Sequence, residues 1–195
     1  MIVFFSYGKM ISQLAQCTGL SEDKVKQLFF DHKLRDLVES GKISSSELYQ
    51  RVKSESLRSF SFLELNIAFS DIFTPNESLF PIIRALKEKG IRLILLSNTS
   101  ESHFNRVYSR YPILRLFDEL ILSYQVGVAK PDPLIFKKAL AKAECTPAQC
   151  FYTDDIPEYV SAARKTGLDA EVFTTPAALT GHLASRGLIF QKSPC

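Results

Sequence analysis

The feature that most limits how this 195-residue chain can fold is an alternation that begins near residue 75, in which short apolar runs take turns with helical stretches. Ile91-Arg92-Leu93-Ile94-Leu95-Leu96 reads as a strand, residues 101–110 as a helix, Glu119 to Leu122 as a strand, and the stretch opened by Asp132-Pro133 as a helix. A strand at Cys150 to Thr153, a helix ending at Gly167, a strand at Ala170 to Phe173 and a helix opened by Thr175-Pro176 complete the series. Adjacent parallel strands need a crossover, and a helix fills it. The rhythm therefore predicts an α/β fold: a doubly wound, Rossmann-like parallel sheet with helices on both faces.

The opening run Ile2-Val3-Phe4-Phe5, followed at once by Ser6-Tyr7-Gly8-Lys9, reads as one more parallel strand buried on both faces. Between it and the alternating region the spacing is helical: Ile11, Leu14 and Ala15, then Val25, Leu28 and Phe29, then Leu34, Leu37 and Val38, then Leu48 and Val52. Ser44-Ser45-Ser46-Glu47 is a capping-box signature, and Thr74-Pro75-Asn76-Glu77 reads as a second one, starting a helix through Ile82, Ile83 and Leu86 to a stop at Gly90. The expected organisation is a core of residues 1–10 and 76–195, with a small helical cap of residues 11–75 inserted after the first strand.

With 46% hydrophobic and 23% charged residues the chain has what a globular core requires. Its net charge of +3, from 24 basic and 21 acidic residues spread along the chain, offers no basic face for nucleic acid. No apolar run approaches the roughly 18 residues of a membrane span, and no signal-peptide pattern opens the chain, so the expected compartment is the cytoplasm. Cys17, Cys145, Cys150 and Cys195 lack zinc spacing and read as free thiols; His32, His103 and His182 form no ligand pattern. Any metal must then be held by carboxylates.

In a doubly wound sheet, ligands bind beyond the carboxyl ends of the strands. Those positions hold Ser6-Tyr7-Gly8, Ser97-Asn98-Thr99, the loop with Gly127, Lys130 and Pro131, and Asp154-Asp155. A hydroxyl with free amides, a lysine and paired carboxylates on one edge suit a phosphate and Mg²⁺. Taken singly, each has a plainer use: Asp154-Asp155 and Ser97-Asn98-Thr99 as helix caps, Lys130 as a surface lysine, and Tyr7, His103 and Tyr124 as packing aromatics. Their joint placement at successive strand ends favours the site.

The runs LLSNTS (95–100), GVAKPDPLIF (127–136) and YTDDIPEYVSAARKTG (152–167) resemble, in order and spacing, the second, third and fourth motifs of the haloacid dehalogenase superfamily. The likeness spans nearly the whole chain and is greatest to the branch with a small helical cap, which includes 2-haloacid dehalogenases, sugar phosphatases and the phosphatase domain of soluble epoxide hydrolase. The resemblance implies that Ser97 and the Asn98 amide hold a phosphoryl group, that Lys130 neutralises charge on nucleophile and phosphate, and that Asp154, with Asp155 and the Gly8 carbonyl, ligates Mg²⁺. It further implies a small phosphorylated molecule or phosphate as ligand.

The first motif departs from the family. Aligned on Ile-Val-Phe-Phe, the position of the nucleophilic aspartate is Ser6 and the usual acid/base position is Gly8. A carboxylate attacks without a base and gives an acyl phosphate that water can cleave; a serine needs a base and gives a stable monoester. The expectation is a hydrolase homologue with turnover lost or very weak, binding a phospholigand or a partner, in effect a pseudoenzyme. Two other readings stay open: a working phosphatase on a small phosphorylated metabolite, and a structural or protein-interaction role with a vestigial cleft. The sequence names no protein partner.

Overall fold

The computed structural model describes residues 1–188; Cys195, read as a free thiol, lies outside them. Strand β1 (Val3–Phe5) leads into a helical region of α1 (Tyr7–Thr18), α2 (Glu22–Lys26), α3 (Leu34–Glu39), α4 (Ser45–Glu55) and α5 (Phe62–Ser70). Strand β2 (Phe73–Pro75) then opens the alternating part: α6 (Phe80–Glu88), β3 (Ile94–Ser97), α7 (Glu101–Arg110), β4 (Glu119–Leu122), α8 (Ser123–Val126), α9 (Pro133–Ala141), β5 (Phe151–Asp154), α10 (Pro157–Lys165), β6 (Asp169–Val172) and α11 (Pro176–Ala184). None of the described helices is long and apolar enough to cross a membrane.

The helical region has its own core, in which Met10, Leu14, Val25, Phe29, Val52 and Phe69 are nearly or wholly inaccessible to solvent. The Ser44 box forms as the sequence suggests, with the hydroxyl accepting from the Glu47 amide while the Glu47 carboxylate accepts from the Ser44 amide. An equivalent box at Ser61 and Glu64 starts α5. The anticipated box at Thr74 does not form: residues 73–75 are extended, and the helix starts only at Phe80, after a 3₁₀ turn. Pairing with β1 holds Thr74 in the sheet and takes it out of reach of a capping role.

The alternating region is mixed α/β with parallel strands, as the rhythm predicts. β3 pairs in parallel with β4, Ile94 opposite Glu119 through Ser97 opposite Leu122, and β5 pairs in parallel with β6, Phe151 opposite Asp169 through Asp154 opposite Val172. Two apolar layers cover the two faces. One is built on Leu79, Ile83, Val107, Leu114, Leu179 and Leu183, with Leu93, Leu95 and Phe151 packed against it; the other on Ile121, Ile135, Phe136, Val160 and Leu168, with Ile94, Leu96 and Tyr152 against it. Alternate residues of one strand serve opposite layers, as the pleat requires.

The first strand departs from expectation. β1 pairs antiparallel with β2, and Phe4 and Phe5 are 57% and 55% exposed, so it is neither parallel nor buried on both faces. An apolar run specifies that a segment can pair but does not name its neighbour, and here the neighbour is the segment returning from the helical region.

Polar contacts join the helical and alternating regions beside the stacking of Phe69 on His103. The Ser123 hydroxyl accepts from the Thr99 amide and donates to the Glu39 carbonyl, and Asp71 accepts from Lys9, Arg106 and Arg110. Gly41 has a positive φ of 66°, and a Cβ there would collide with the Tyr124 carbonyl. Gly41→Ala therefore combines strain with a clash on backbone, and a loss of about 2 kcal/mol or more is expected. Urea unfolding checks it, with Gly90→Ala as the positive-φ control that meets no neighbour.

Candidate active site

The carboxyl ends of β3 and β5 face one another across the loop holding Lys130, and polar groups gather there because the sheet leaves strand termini uncovered by helices. Asn98, just past β3, is locked to that loop twice: its side-chain NH₂ donates to the Lys130 carbonyl at 2.9 Å, and its side-chain oxygen accepts from the Lys130 amide at 2.7 Å. This two-way clamp fixes the Lys130 backbone. The Lys130 ammonium then donates to Asp154 Oδ2 at 2.6 Å and to the Leu96 carbonyl at 3.2 Å, and it lies 5.0 Å from the ring centre of Tyr159. Both members of the ion pair are buried, Lys130 at 9% and Asp154 at 6% exposure.

Asp154 accepts from three donors. Besides Lys130, Tyr152 donates its hydroxyl to Oδ2 at 2.6 Å and the Ile156 amide donates to Oδ1 at 3.0 Å. Burial alone would raise the Asp154 carboxyl, but the Lys130 charge and the three hydrogen bonds outweigh it and hold the group below the usual carboxylate range. Burial, and then the Asp154 charge, push the Tyr152 hydroxyl well up, so it serves as a donor throughout the physiological range.

The sequence-derived site residues are thus partly assembled. Asn98, Lys130 and Asp154 meet directly, and Ser97 stands at the end of β3 beside them, lining the same cavity as Asn98 and Lys130. Asp155 lines the same cavity without a hydrogen bond to them among the described residues: it is exposed and lies 3.6 Å from the Met1 ammonium. Ser6 and Gly8 are also elsewhere. Ser6 is the exposed N-cap of α1, its hydroxyl accepting from the Lys9 amide at 3.1 Å, and Gly8 lies in the first turn of that helix. Among the described residues no hydrogen bond joins either of them to Ser97, Asn98, Lys130 or Asp154, and neither lines the cavity. A helix begins where the sequence reading placed a strand-end loop, and helical geometry turns these residues outward.

Tyr152, Tyr159, Arg35 and Glu39 were not singled out in sequence, whereas Tyr7 was, at a strand end and as a packing aromatic. Tyr152 precedes Asp154 by two residues on one strand, so the period of two would have set it on the same face. Tyr159 donates no such signal; its hydroxyl meets the Asn98 side chain at 3.3 Å only because α10 folds back over the strand ends. From the helical region, Tyr7, Arg35 and Glu39 line the cavity with Ser97 and Lys130. Burial pushes the Glu39 carboxyl up to about 7 despite Arg35. His103, by contrast, is a packing residue: its ring stacks on Phe69 at 4.1 Å, and burial lowers it to about 4.

A family model for haloacid dehalogenase-like hydrolases matches residues 25–167. The chain belongs to the haloacid dehalogenase-like hydrolase family. Ser6 and Gly8 fall outside the matched residues of that family model, whereas Ser97, Asn98, Lys130, Asp154 and Asp155 fall inside. The chain is similar to bifunctional epoxide hydrolase 2 of Sus scrofa, 31% identical over 96 residues, which cover 46% of this chain and 17% of that protein. It is also similar to the sesquiterpene phosphatase astK of Aspergillus oryzae, 24% identical over 131 residues and 67% of each chain. It therefore spans only a small part of the pig protein's length. A haloacid dehalogenase family enzyme of Bacteroides thetaiotaomicron shares the fold, with a TM-score of 0.78 at 21% identity over 89% of this chain and 88% of that one. That bacterial protein has been crystallised with magnesium and inorganic phosphate.

In this family member the donor set does not make a magnesium site. Both Asp154 oxygens already accept hydrogen bonds, Asp155 points to Met1, the Gly8 carbonyl belongs to a helix, and no three metal-ligating side chains cluster among the described residues.

Two expectations follow. Lys130→Met leaves Asp154 buried without its cation and should cost about 3–5 kcal/mol at pH 7, most of it recovered in Lys130→Met/Asp154→Leu. The sign reverses with pH. In the unaltered chain Asp154 stabilises above its unfolded value near 3.8, and that contribution is lost as pH falls through its lowered folded value. In Lys130→Met burial raises the carboxyl, so stability should rise as pH falls, which urea titrations at pH 7 and 4 will show. For Glu39, whose folded value lies above its unfolded one, stability is lost as pH rises through about 7. Glu39→Gln should be neutral at pH 4 and stabilising by about 1 kcal/mol at pH 8, allowing for its partial exposure.

Proposed function

We propose that this haloacid dehalogenase-like protein binds the phosphate group of a small phosphorylated molecule at the Ser97–Lys130–Asp154 strand ends, and that it hydrolyses phosphate esters very weakly or not at all. The helical region of residues 11–75 acts in this reading as the cap over that cleft. The observation that carries the proposal is the Lys130 ammonium, held by Asp154 and the Leu96 carbonyl on a backbone that Asn98 clamps, and lining with Ser97 a cavity of about 830 Å³. A fixed cation with a hydroxyl beside it favours a dianion, because the donors are already oriented before the ligand arrives.

In this reading neither Asp154 nor Ser6 serves as a nucleophile. The Asp154 oxygens are occupied by three donors, and the Ser6 hydroxyl caps a helix with no base bound to it. Removal of a nucleophile from other enzymes has cost about six decades in rate, or about 8 kcal/mol. The resemblance implies magnesium, yet the residues present do not complete its sphere, and no step here depends on it.

The phosphatase names of relatives such as the Aspergillus oryzae protein support the competing reading of a working enzyme. The two part in one pair of measurements. Inorganic phosphate at about tenfold its Kd should raise Tm by about 3 °C, an effect removed by Ser97→Ala. An aryl phosphate with Mg²⁺ should give no turnover above background. Turnover abolished by Asp154→Ala would establish the working phosphatase instead, and neither shift nor turnover would leave the cleft vestigial.

A further inference from the structure

The segment between α9 and β5, residues 142–150, places two thiols side by side. Cys145 is exposed and Cys150 is half-buried, and their sulfurs stand 3.4 Å apart. The turn between them is held closed before any bond joins them. The Thr146 amide and hydroxyl both donate to the Gln149 side-chain oxygen, at 3.1 and 3.0 Å, and the Gln149 amide donates back to the Thr146 carbonyl at 2.9 Å. The Cys150 amide donates to the Pro147 carbonyl at 3.0 Å and closes the 3₁₀ turn of Pro147–Gln149.

The flanks of the turn are fixed as well. Glu144 has a left-handed φ of 59°, uncommon for a residue that carries a side chain, and it reverses the chain just ahead of Cys145. Arg92, ahead of β3, holds that reversal: it donates to the Lys142 carbonyl at 3.0 Å and pairs with the Glu144 carboxylate at 2.9 Å. On the other side Cys150 leads directly into β5 and packs against the apolar layer of Ile135, Phe136 and Val160. Packing accounts for Cys150, since a free thiol behaves as a small apolar group. It does not account for Cys145, which is exposed.

We infer that Cys145 and Cys150 form a thiol–disulfide exchange site, which a small organic disulfide oxidises to an intramolecular Cys145–Cys150 bond. Oxidation takes two displacements. The Cys145 thiolate attacks one sulfur of the small disulfide, forming a mixed disulfide and expelling one thiolate; the Cys150 thiolate then attacks the Cys145 sulfur, closing the protein disulfide and expelling the second. Two protein thiols are oxidised, one small disulfide is reduced to two thiols, and the cysteine protons pass through water to the departing thiolates. Exposure makes Cys145 the attacking group. Burial and the neighbouring Cys145 thiol push the Cys150 thiol up, so it stays protonated while Cys145 reacts, its sulfur donating to the Thr146 carbonyl at 3.5 Å. Because the turn is already closed, joining its ends removes little further chain entropy from the folded state. Ser97, Lys130 and Asp154 take no part in either displacement.

In the test, the reduced chain is incubated with excess oxidised glutathione, quenched with N-ethylmaleimide and digested with trypsin. Mass spectrometry then reads the peptide that follows Lys142 and ends at Arg164, which holds Cys145 and Cys150 and no other cysteine. That peptide should lose two hydrogens and carry neither maleimide nor glutathione. Cys150→Ser should instead retain glutathione on Cys145, because nothing resolves the mixed disulfide, and Cys145→Ser should react roughly tenfold more slowly than the unaltered chain. The oxidised chain should melt about 5 °C above the reduced one, a gain absent from both variants, since the bond restricts the unfolded chain and leaves the turn as it is. Maleimide on both cysteines after the incubation would overturn the inference. So would a bond from either of them to Cys17 or Cys195 of the same or another copy, or an oxidised chain that melts no higher than the reduced one. Phosphate binding is read separately, in the reduced chain, so either idea can fail alone.

Discussion

The ion pair between Lys130 and Asp154 is the interaction on which the arrangement of the strand ends depends. Its two charges come from the loop between α8 and α9 and from the end of β5, and neither is tolerable in so buried a place without the other. Desolvating an ammonium and a carboxylate costs several kcal/mol each, and attraction offsets this only when the remaining hydrogen-bonding capacity is filled. Here the Lys130 ammonium uses two of its three hydrogens and Asp154 accepts from three donors. Asn98 and the Leu96 carbonyl hold Lys130 from β3, while Tyr152 and the Ile156 amide hold Asp154 from β5. The pair thus bridges two strands that share no backbone hydrogen bonds, and it sets their carboxyl ends in register with one another.

That bridge also explains what the site can and cannot do. A carboxylate held by three donors has its charge spread among them and is a weakened nucleophile and metal ligand, whereas the lysine keeps one hydrogen for an anion. This asymmetry is what favours the proposed binding of an anion beside Lys130. Arg35 and Tyr7 from the helical region extend the same character, with the Arg35 guanidinium donating to the Tyr7 hydroxyl at 3.4 Å on the wall opposite Lys130's loop.

How much of this was legible in sequence depended on whether a signal was local. The alternation after residue 75 fixed strands, helices and their parallel sense, because each crossover helix is demanded by the strand before it. The Ser44 box, Asp132-Pro133 and Thr175-Pro176 marked helix starts for the same local reason. Residues at the ends of β3 and β5 could be listed as a site because strand ends converge in any such sheet. What failed was non-local. Nothing in Ile2-Val3-Phe4-Phe5 distinguishes a central parallel strand from a short antiparallel one, and the competing partner, Phe73–Pro75, lies some seventy residues away. The Thr74 box failed through the same pairing. Nor could sequence reveal that Cys145 and Cys150 bring their sulfurs to 3.4 Å, since that depends on the turn between them.

The misplaced first strand and the half-buried middle strands are one fact seen from two sides. If Val3–Phe5 occupied the centre of the sheet, β3 and β5 would each gain a second neighbour, Phe4 and Phe5 would leave solvent, and Ser6 would follow the strand into the polar cleft. In the observed fold all three are reversed together: the phenylalanines are exposed, the edges are open, and Ser6 caps a helix. The segment cannot satisfy both positions, because after Phe5 the chain enters α1 at once, and β2 holds it through a ladder from Val3 to Phe5. Whether Ser6 substitutes for a carboxylate is therefore secondary to where it stands. The position beside Lys130 lies past the ends of β3 and β5, and Ser6, past the end of β1, caps α1 instead.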